Sequence, residues 1–131
     1  MAGPIEGQML VLAAAKASVS PTRLPILVAR AQQELEATLE RYRREYEVVF
    51  EDDTRCAFLV ERGFWDEIGD RFDWNHREAA AVERAHEEQL QRIGRREDRV
   101  EEFEAALEIR DPLIVATTAV ESGAESNGSG D

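Results

Sequence analysis

The side chains best equipped for chemistry in this 131-residue chain are few: one thiol, Cys56, and two imidazoles, His76 and His86. Glu83 and His86 stand three positions apart, so a helix would put a carboxylate and an imidazole on one face. Bundle di-iron sites use two such E-x-x-H pairs together with further glutamates. The second pair is missing here, because His76 has Asp73 at that offset and falls at a helix start. His86 also sits on an apolar stripe, where a buried, hydrogen-bonded core histidine is expected. Cys56 could serve as a nucleophile with either histidine if the fold brought them together. Its neighbours Ala57, Phe58 and Leu59 describe a small buried hydrophobe instead. The sequence contains no glycine-rich phosphate loop and no G-x-S-x-G elbow. The expectation is a non-enzymatic chain with no catalytic, cofactor-binding or metal-binding residues and no cofactor.

A different chemistry is offered between Trp65 and Ala85. A helix-turn-helix needs an apolar and a small residue in its first helix, an apolar residue near that helix's end, a turn, and apolar anchors on the second helix. Ile68-Gly69, Phe72, Asp73-Trp74, Ala79 and Val82 fall at those offsets. The stretch IGDRFDWNHREAAAVERAHEEQL resembles the region of sigma-type and related transcription regulators in which a short helix, a turn and a recognition helix follow one another. The resemblance covers about a fifth of the chain. It departs where Asp73 stands for the usual turn glycine and where Ala79 stands for a larger anchor. What it implies is a DNA-binding regulator whose second helix presents Asn75, His76, Arg77, Ala81 and Arg84. Asparagine and arginine are the side chains that pair bidentately with adenine and guanine edges in the major groove. Glu78, Glu83, Glu87 and Glu88 share that helix, however, and no basic stripe stands ready to hold phosphates. Two helices joined by a tight turn would bury apolar residues at these offsets in any case. Under the regulator reading Arg77 and Arg84 stand outward and unpaired, on a face free of helical cover.

The elements that would position these residues are mostly helical. Met9 to Ala15 is an alanine- and leucine-rich run suited to a short buried helix. Ser20-Pro21 reads as a helix start, with Pro25 able to delay it to Leu24. Val28, Ala31, Leu35, Leu39, Tyr42, Tyr46 and Val49 then recur at steps of three and four, the seam of a long amphipathic helix. Residues 46–60 read either as a hairpin around Glu51-Asp52-Asp53-Thr54 or as more helix, with Cys56–Val60 favoured as a strand. Phe64 to Phe72 is a short helix, and Asp73-Trp74-Asn75 a turn carrying capping residues. A second long helix is expected from about His76 to Ile109, burying Val82, His86 or Leu90, Ile93, Val100, Phe103 and Leu107, with Gly94 a candidate break. Asp111-Pro112 stops it, and Leu113–Thr118 forms a strand pairing with Cys56–Val60. The predicted class is mainly α, α+β at most: two long amphipathic helices packed together, a short helix-turn-helix-like unit and a small two-stranded β element. Residues 1–120 form a single helical domain, and 121–131 a disordered acidic Ser/Gly tail.

Composition bounds the remainder. Acidic residues number 28 against 16 basic ones, for a net charge of −12, and Lys16 is the only lysine. Carboxylate-rich, arginine-using, nearly lysine-free chains resemble small acidic proteins of haloarchaea, whose surfaces must stay hydrated where salt leaves a Debye length of about 3 Å. On that reading the acidity speaks of habitat more than of partners. A lone cysteine and the lack of an apolar stretch of bilayer length lead to a cytoplasmic protein with no membrane partner. The function expected is that of an interaction or accessory protein, with itself or an unidentified protein as partner; DNA binding is the alternative.

Overall fold

Asn75 starts the longest helix as its residue type predicts. In the computed structural model, which describes residues 3–117, its side chain accepts from the Glu78 N–H at 2.8 Å, while the Glu78 carboxylate accepts from the Asn75 N–H at 3.1 Å. This capping box satisfies two helix-end donors reciprocally. In chain order the elements are α1 (Gly7–Ala17), α2 (Leu24–Ala37), α3 (Leu39–Glu45), β1 (Glu47–Glu51), β2 (Arg55–Val60), α4 (Phe64–Phe72), α5 (His76–Glu97), α6 (Val100–Leu107) and β3 (Asp111–Ala116). The fold is mainly helical with one small sheet. The tail expected from residue 121 lies outside the described residues.

Both long helices are shorter than their apolar periods suggest. The first is interrupted at Thr38, whose hydroxyl donates back to the Glu34 carbonyl at 3.0 Å, and it ends at Glu45. Val28, Ala31, Leu35, Leu39 and Tyr42 form the expected buried seam. Tyr46 and Val49 do not extend it, because the chain is extended from Tyr46 onward and Glu47, Val48, Phe50 and Glu51 pair with β2, with Val49 at the irregularity between Val48 and Phe50. β-branched and aromatic residues fit a pleated surface well, and the available partner strand overrides the helical period.

The second helix breaks after Glu97, at Asp98, which takes the left-handed conformation (φ 59°). Gly94 is not the break. A Cβ there would lie 3.0 Å from the Phe103 ring, so the missing side chain makes room for α6 to fold back on α5. Phe103 is buried as expected, Leu107 is half-buried, and Val100 is exposed because it begins the new helix on its outer side.

The sheet has three strands in the order β1-β2-β3, both pairs antiparallel, where two strands were expected. The predicted partners are correct: Cys56 faces Val115 and Phe58 faces Leu113. The addition is β1, joined to β2 through the turn at Asp52 and carrying an irregularity between Val48 and Phe50. Cys56, Phe58, Val60, Leu113 and Val115 face a core shared with α1, α2, α4 and the first half of α5. Ala57, Leu59 and Ile114 face a smaller one built with Leu90, Ile93 and Phe103. Buried on both sides, β2 and β3 read as continuous apolar runs. α5 contributes to both cores. No helix among the described residues is long and apolar enough to cross a membrane.

Candidate functional site

α5 carries most of the candidate side chains, and α1, α2, α4, α6 and β3 all pack against it. A helix that reads the major groove needs an open flank along its N-terminal half. Of the five residues proposed for DNA contact, Asn75, His76 and Arg77 are exposed. The Asn75 carbonyl oxygen is engaged as the helix cap. Ala81 is fully buried in the main core, beside Val82 and Ala85 in sequence, and cannot meet a base edge. Its small side chain serves close helix packing instead. Arg84 is half-buried and lies 3.9 Å from the Glu87 carboxylate. The structure therefore does not gather the five on one open face. A cavity of about 170 Å³ at the α4–α5 turn is lined by Asp66, Asp70, Trp74 and His76 among others, so carboxylates rim the place where phosphates would have to approach. Gly69 does hold the close-packing position of the two-helix unit: a Cβ there would sit 3.0 Å from Ala79 Cβ.

His86 has a structural task. It is fully buried, its Nδ1 accepts the Ile114 N–H at 2.9 Å, and its ring lies 4.3 Å from that of Trp65. Gln32 from α2 donates to the Ile114 carbonyl at 2.6 Å and accepts the Ala116 N–H at 3.0 Å. The Trp65 indole donates to the Pro112 carbonyl at 2.7 Å, and proline itself offers no N–H. Side chains from three helices thus close the outer edge of β3, a row of backbone groups that would otherwise template strand addition. Burial pushes the imidazole down to about 3, so it remains neutral.

Glu83 does not work with His86. Its carboxylate meets Asp111 at the start of β3, and Asp111 Oδ2 accepts the Gly63 N–H at 3.1 Å. Burial, then the charge and hydrogen bond of Asp111, push Glu83 up to about 7, and burial raises Asp111 as well. A carboxyl raised this far is partly protonated near neutrality. Cys56 is fully buried, and burial followed by the charge of Glu51 pushes its thiol up to about 11, leaving it a poor nucleophile. Among the described residues no group of three or more His, Cys, Asp or Glu could hold a metal ion.

One polar cluster is built from residues that sequence reasoning passed over. Glu6, just before α1, is held by Arg96 through both carboxylate oxygens, at 2.8 and 3.0 Å. Gln89 Nε2 donates to it at 3.0 Å, and its backbone N–H donates to Gln89 Oε1 at 2.7 Å. Arg55 and Arg92 approach the same carboxylate at 3.6 and 3.9 Å. Burial raises Glu6, but the hydrogen bonds from Gln89 and Arg96 and the charges of Arg96 and Arg55 outweigh it, so the group lies below its ordinary value. A faint signal existed. Arg92 and Arg96 stack one helical turn apart, and the positions three and four residues either side of Arg96 hold no carboxylate. Such a pair requires an anion from elsewhere in the fold.

The outer face of α1 presents the remaining feature. Val11 is 61% exposed and Leu12 42%, while Gln8 and Ala15, one turn before and after, are also exposed. α1 is the only helix among the described residues that contains no carboxylate, and its one charge is Lys16, paired with Glu88 at 2.7 Å. The chain belongs to the family described as a domain of unknown function, DUF8048, whose model matches residues 3–117. No curated protein and no solved structure matches it.

Proposed function

We propose that this chain is a non-enzymatic association domain, and that a second copy of itself docks on the outer face of α1. The observation that carries this reading is the exposed Val11–Leu12 stripe on a helix free of carboxylates. In a chain of net charge −12, two copies approaching by any other helix bring carboxylates together. Along α1 they bring apolar side chains and a neutralised lysine. The other groups able to do chemistry support the same reading, since His86 closes a strand edge and Cys56 is buried with its thiol raised.

Size sets the strength. Eleven helical residues span roughly 16 Å, and at a helix diameter of about 10 Å one face offers on the order of 160 Å² in projection, well short of the roughly 800 Å² per partner typical of stable complexes. The association should therefore be weak, forming in the high micromolar range and favoured by salt that screens the charge of each copy. Sedimentation equilibrium of the full chain in 1 M KCl should show a monomer–dimer equilibrium that the Val11→Glu, Leu12→Glu double variant abolishes at unchanged circular dichroism. A wild-type chain that stays monomeric to millimolar concentration would overturn the reading. So would retention on DNA that Arg77→Glu, Arg84→Glu removes, because the regulator reading would then take its place.

A further inference from the structure

The three arginines around Glu6 are more than one carboxylate needs. Arg55 from β2 and Arg92 and Arg96 from α5 bring three positive charges to Glu6, and among the described residues only Asp52, 3.7 Å from Arg55, pairs with them as a further anion. Arg55 is almost wholly enclosed, its side chain 9% exposed. The Nε–H groups of Arg55 and Arg92 are buried and have no hydrogen-bond partner among the described residues. A buried guanidinium donor without an acceptor is costly. The flat carboxylate of Glu6 gives both its oxygens to Arg96 and one of them also to Gln89, and it lies beyond bonding distance of Arg55 and Arg92. A tetrahedral oxyanion bearing two charges has more acceptor atoms, spread over more directions, and matches the charge surplus. Arginine is the side chain best suited to hold such a group bidentately. Arg92 and Arg96 are partly exposed, so the cluster can be reached from solvent.

We propose that Arg55, Arg92, Arg96 and Gln89 form a binding site for a phosphoryl group, in which the Glu6 carboxylate is a tethered occupant that competes with the ligand. The segment before α1 is anchored by Ile5, which is buried in the main core, but its polar bonds are few, and the Glu6 side chain can swing out while Ile5 stays in place. Apart from Glu6 itself, its polar tie to this cluster is the Pro4 carbonyl, which accepts from Arg55 at 3.0 Å. Withdrawing Glu6 leaves a cradle of three guanidinium groups and one amide, open to an anion that is either free or carried on a larger molecule.

The test is thermal unfolding of the full chain with increasing inorganic phosphate, ionic strength being held constant with KCl. Wild type should gain a small rise in melting temperature over the KCl control. Glu6→Gln, which removes the competing charge, should reach half of its maximal rise at a phosphate concentration at least tenfold lower. Adding Arg92→Ala to Glu6→Gln should abolish the response. Because Glu6→Gln could unfold the N-terminal segment, Glu6→Asp provides a second reading: its shorter side chain keeps the charge but withdraws it, and its response should be intermediate. A parallel titration with glycerol phosphate separates the sources. Tighter binding of the monoester indicates a group carried on a larger molecule, and tighter binding of inorganic phosphate indicates the free anion. Responses to phosphate equal to those of the KCl control in wild type and both Glu6 variants would overturn the proposal.

Discussion

Histidine in water takes up a proton near pH 6.5, whereas His86 in its buried place resists protonation until about pH 3. Between those values the unfolded chain binds the extra proton and the native chain does not. Stability must therefore fall as pH falls through this window, by at most about 1.4 kcal/mol per pH unit. Glu83 acts in the opposite sense. Its native value is raised to about 7 from the ordinary 4.5, so its contribution is complete below pH 4.5 and is lost as pH rises through 7. Urea unfolding across pH 3–8 should separate the two. His86→Ala should flatten the acid limb and lose about 1–3 kcal/mol for the bare Ile114 N–H alone, with the vacated ring space adding to that. Glu83→Gln should keep the acid limb and gain on wild type as pH rises from 5 to 8. An acid limb equally steep in His86→Ala would mean that some other group supplies it, and an unchanged difference between Glu83→Gln and wild type across pH would remove the raised Glu83 carboxyl from the account.

At the scale of elements, the edge of β3 depends on three helices, and Gln32 meets two of its backbone groups at once. Gln32→Ala should leave both bare, lowering stability by about 2–6 kcal/mol at 1–3 kcal/mol for each group. It should also open a strand edge to other chains, so light scattering on partial unfolding should rise well above wild type. A variant that loses less than about 1 kcal/mol and stays clear would show that water replaces the amide without consequence. None of this edge closure could be read from sequence, since Gln32 and Ile114 stand 82 positions apart. What could be read was local. The Asn75 cap, the Phe64–Phe72 helix, the buried seam from Val28 to Tyr42 and the β2–β3 pairing all follow from spacing or residue type. The errors have one cause: apolar residues every three or four positions do not announce where the chain turns. Tyr46 and Val49 keep the helical period and yet belong to an extended segment, because their neighbours Glu47, Val48 and Phe50 find partners in β2. The break at Asp98 occurs without glycine at the left-handed position, and the glycine that matters, Gly94, lies earlier as a seat for Phe103. Likewise Glu83, at helical spacing from His86, interacts with Asp111, 28 positions further on.

For the molecule as a whole, the charge of −12 opposes the compact state, because folding brings carboxylates closer than the open chain does. Salt should relieve that repulsion, the Debye length falling from about 10 Å at 0.1 M to about 3 Å at 1 M. The same salt weakens exposed ion pairs such as Arg99–Glu102 and Arg43–Glu51, but pairs of that kind are each worth only about 0–1 kcal/mol. Repulsion summed over 28 carboxylates against 16 basic groups is therefore expected to dominate. Urea midpoints should rise as KCl goes from 0.05 to 1 M; urea is the denaturant of choice because guanidinium is itself a salt. Screening is nearly exhausted at 1 M, since 3 Å is already shorter than most separations between surface charges. Any further gain from 1 to 3 M must come from another source, either ion and water binding by the carboxylates or salt-strengthened apolar burial. Potassium acetate and KCl at equal concentration distinguish these two, because a carboxylate–cation origin follows potassium whereas apolar burial follows the anion. Midpoints that fall steadily with KCl would instead mean that the arginine pairs, the Glu6 cluster foremost, outweigh the repulsion of the surface.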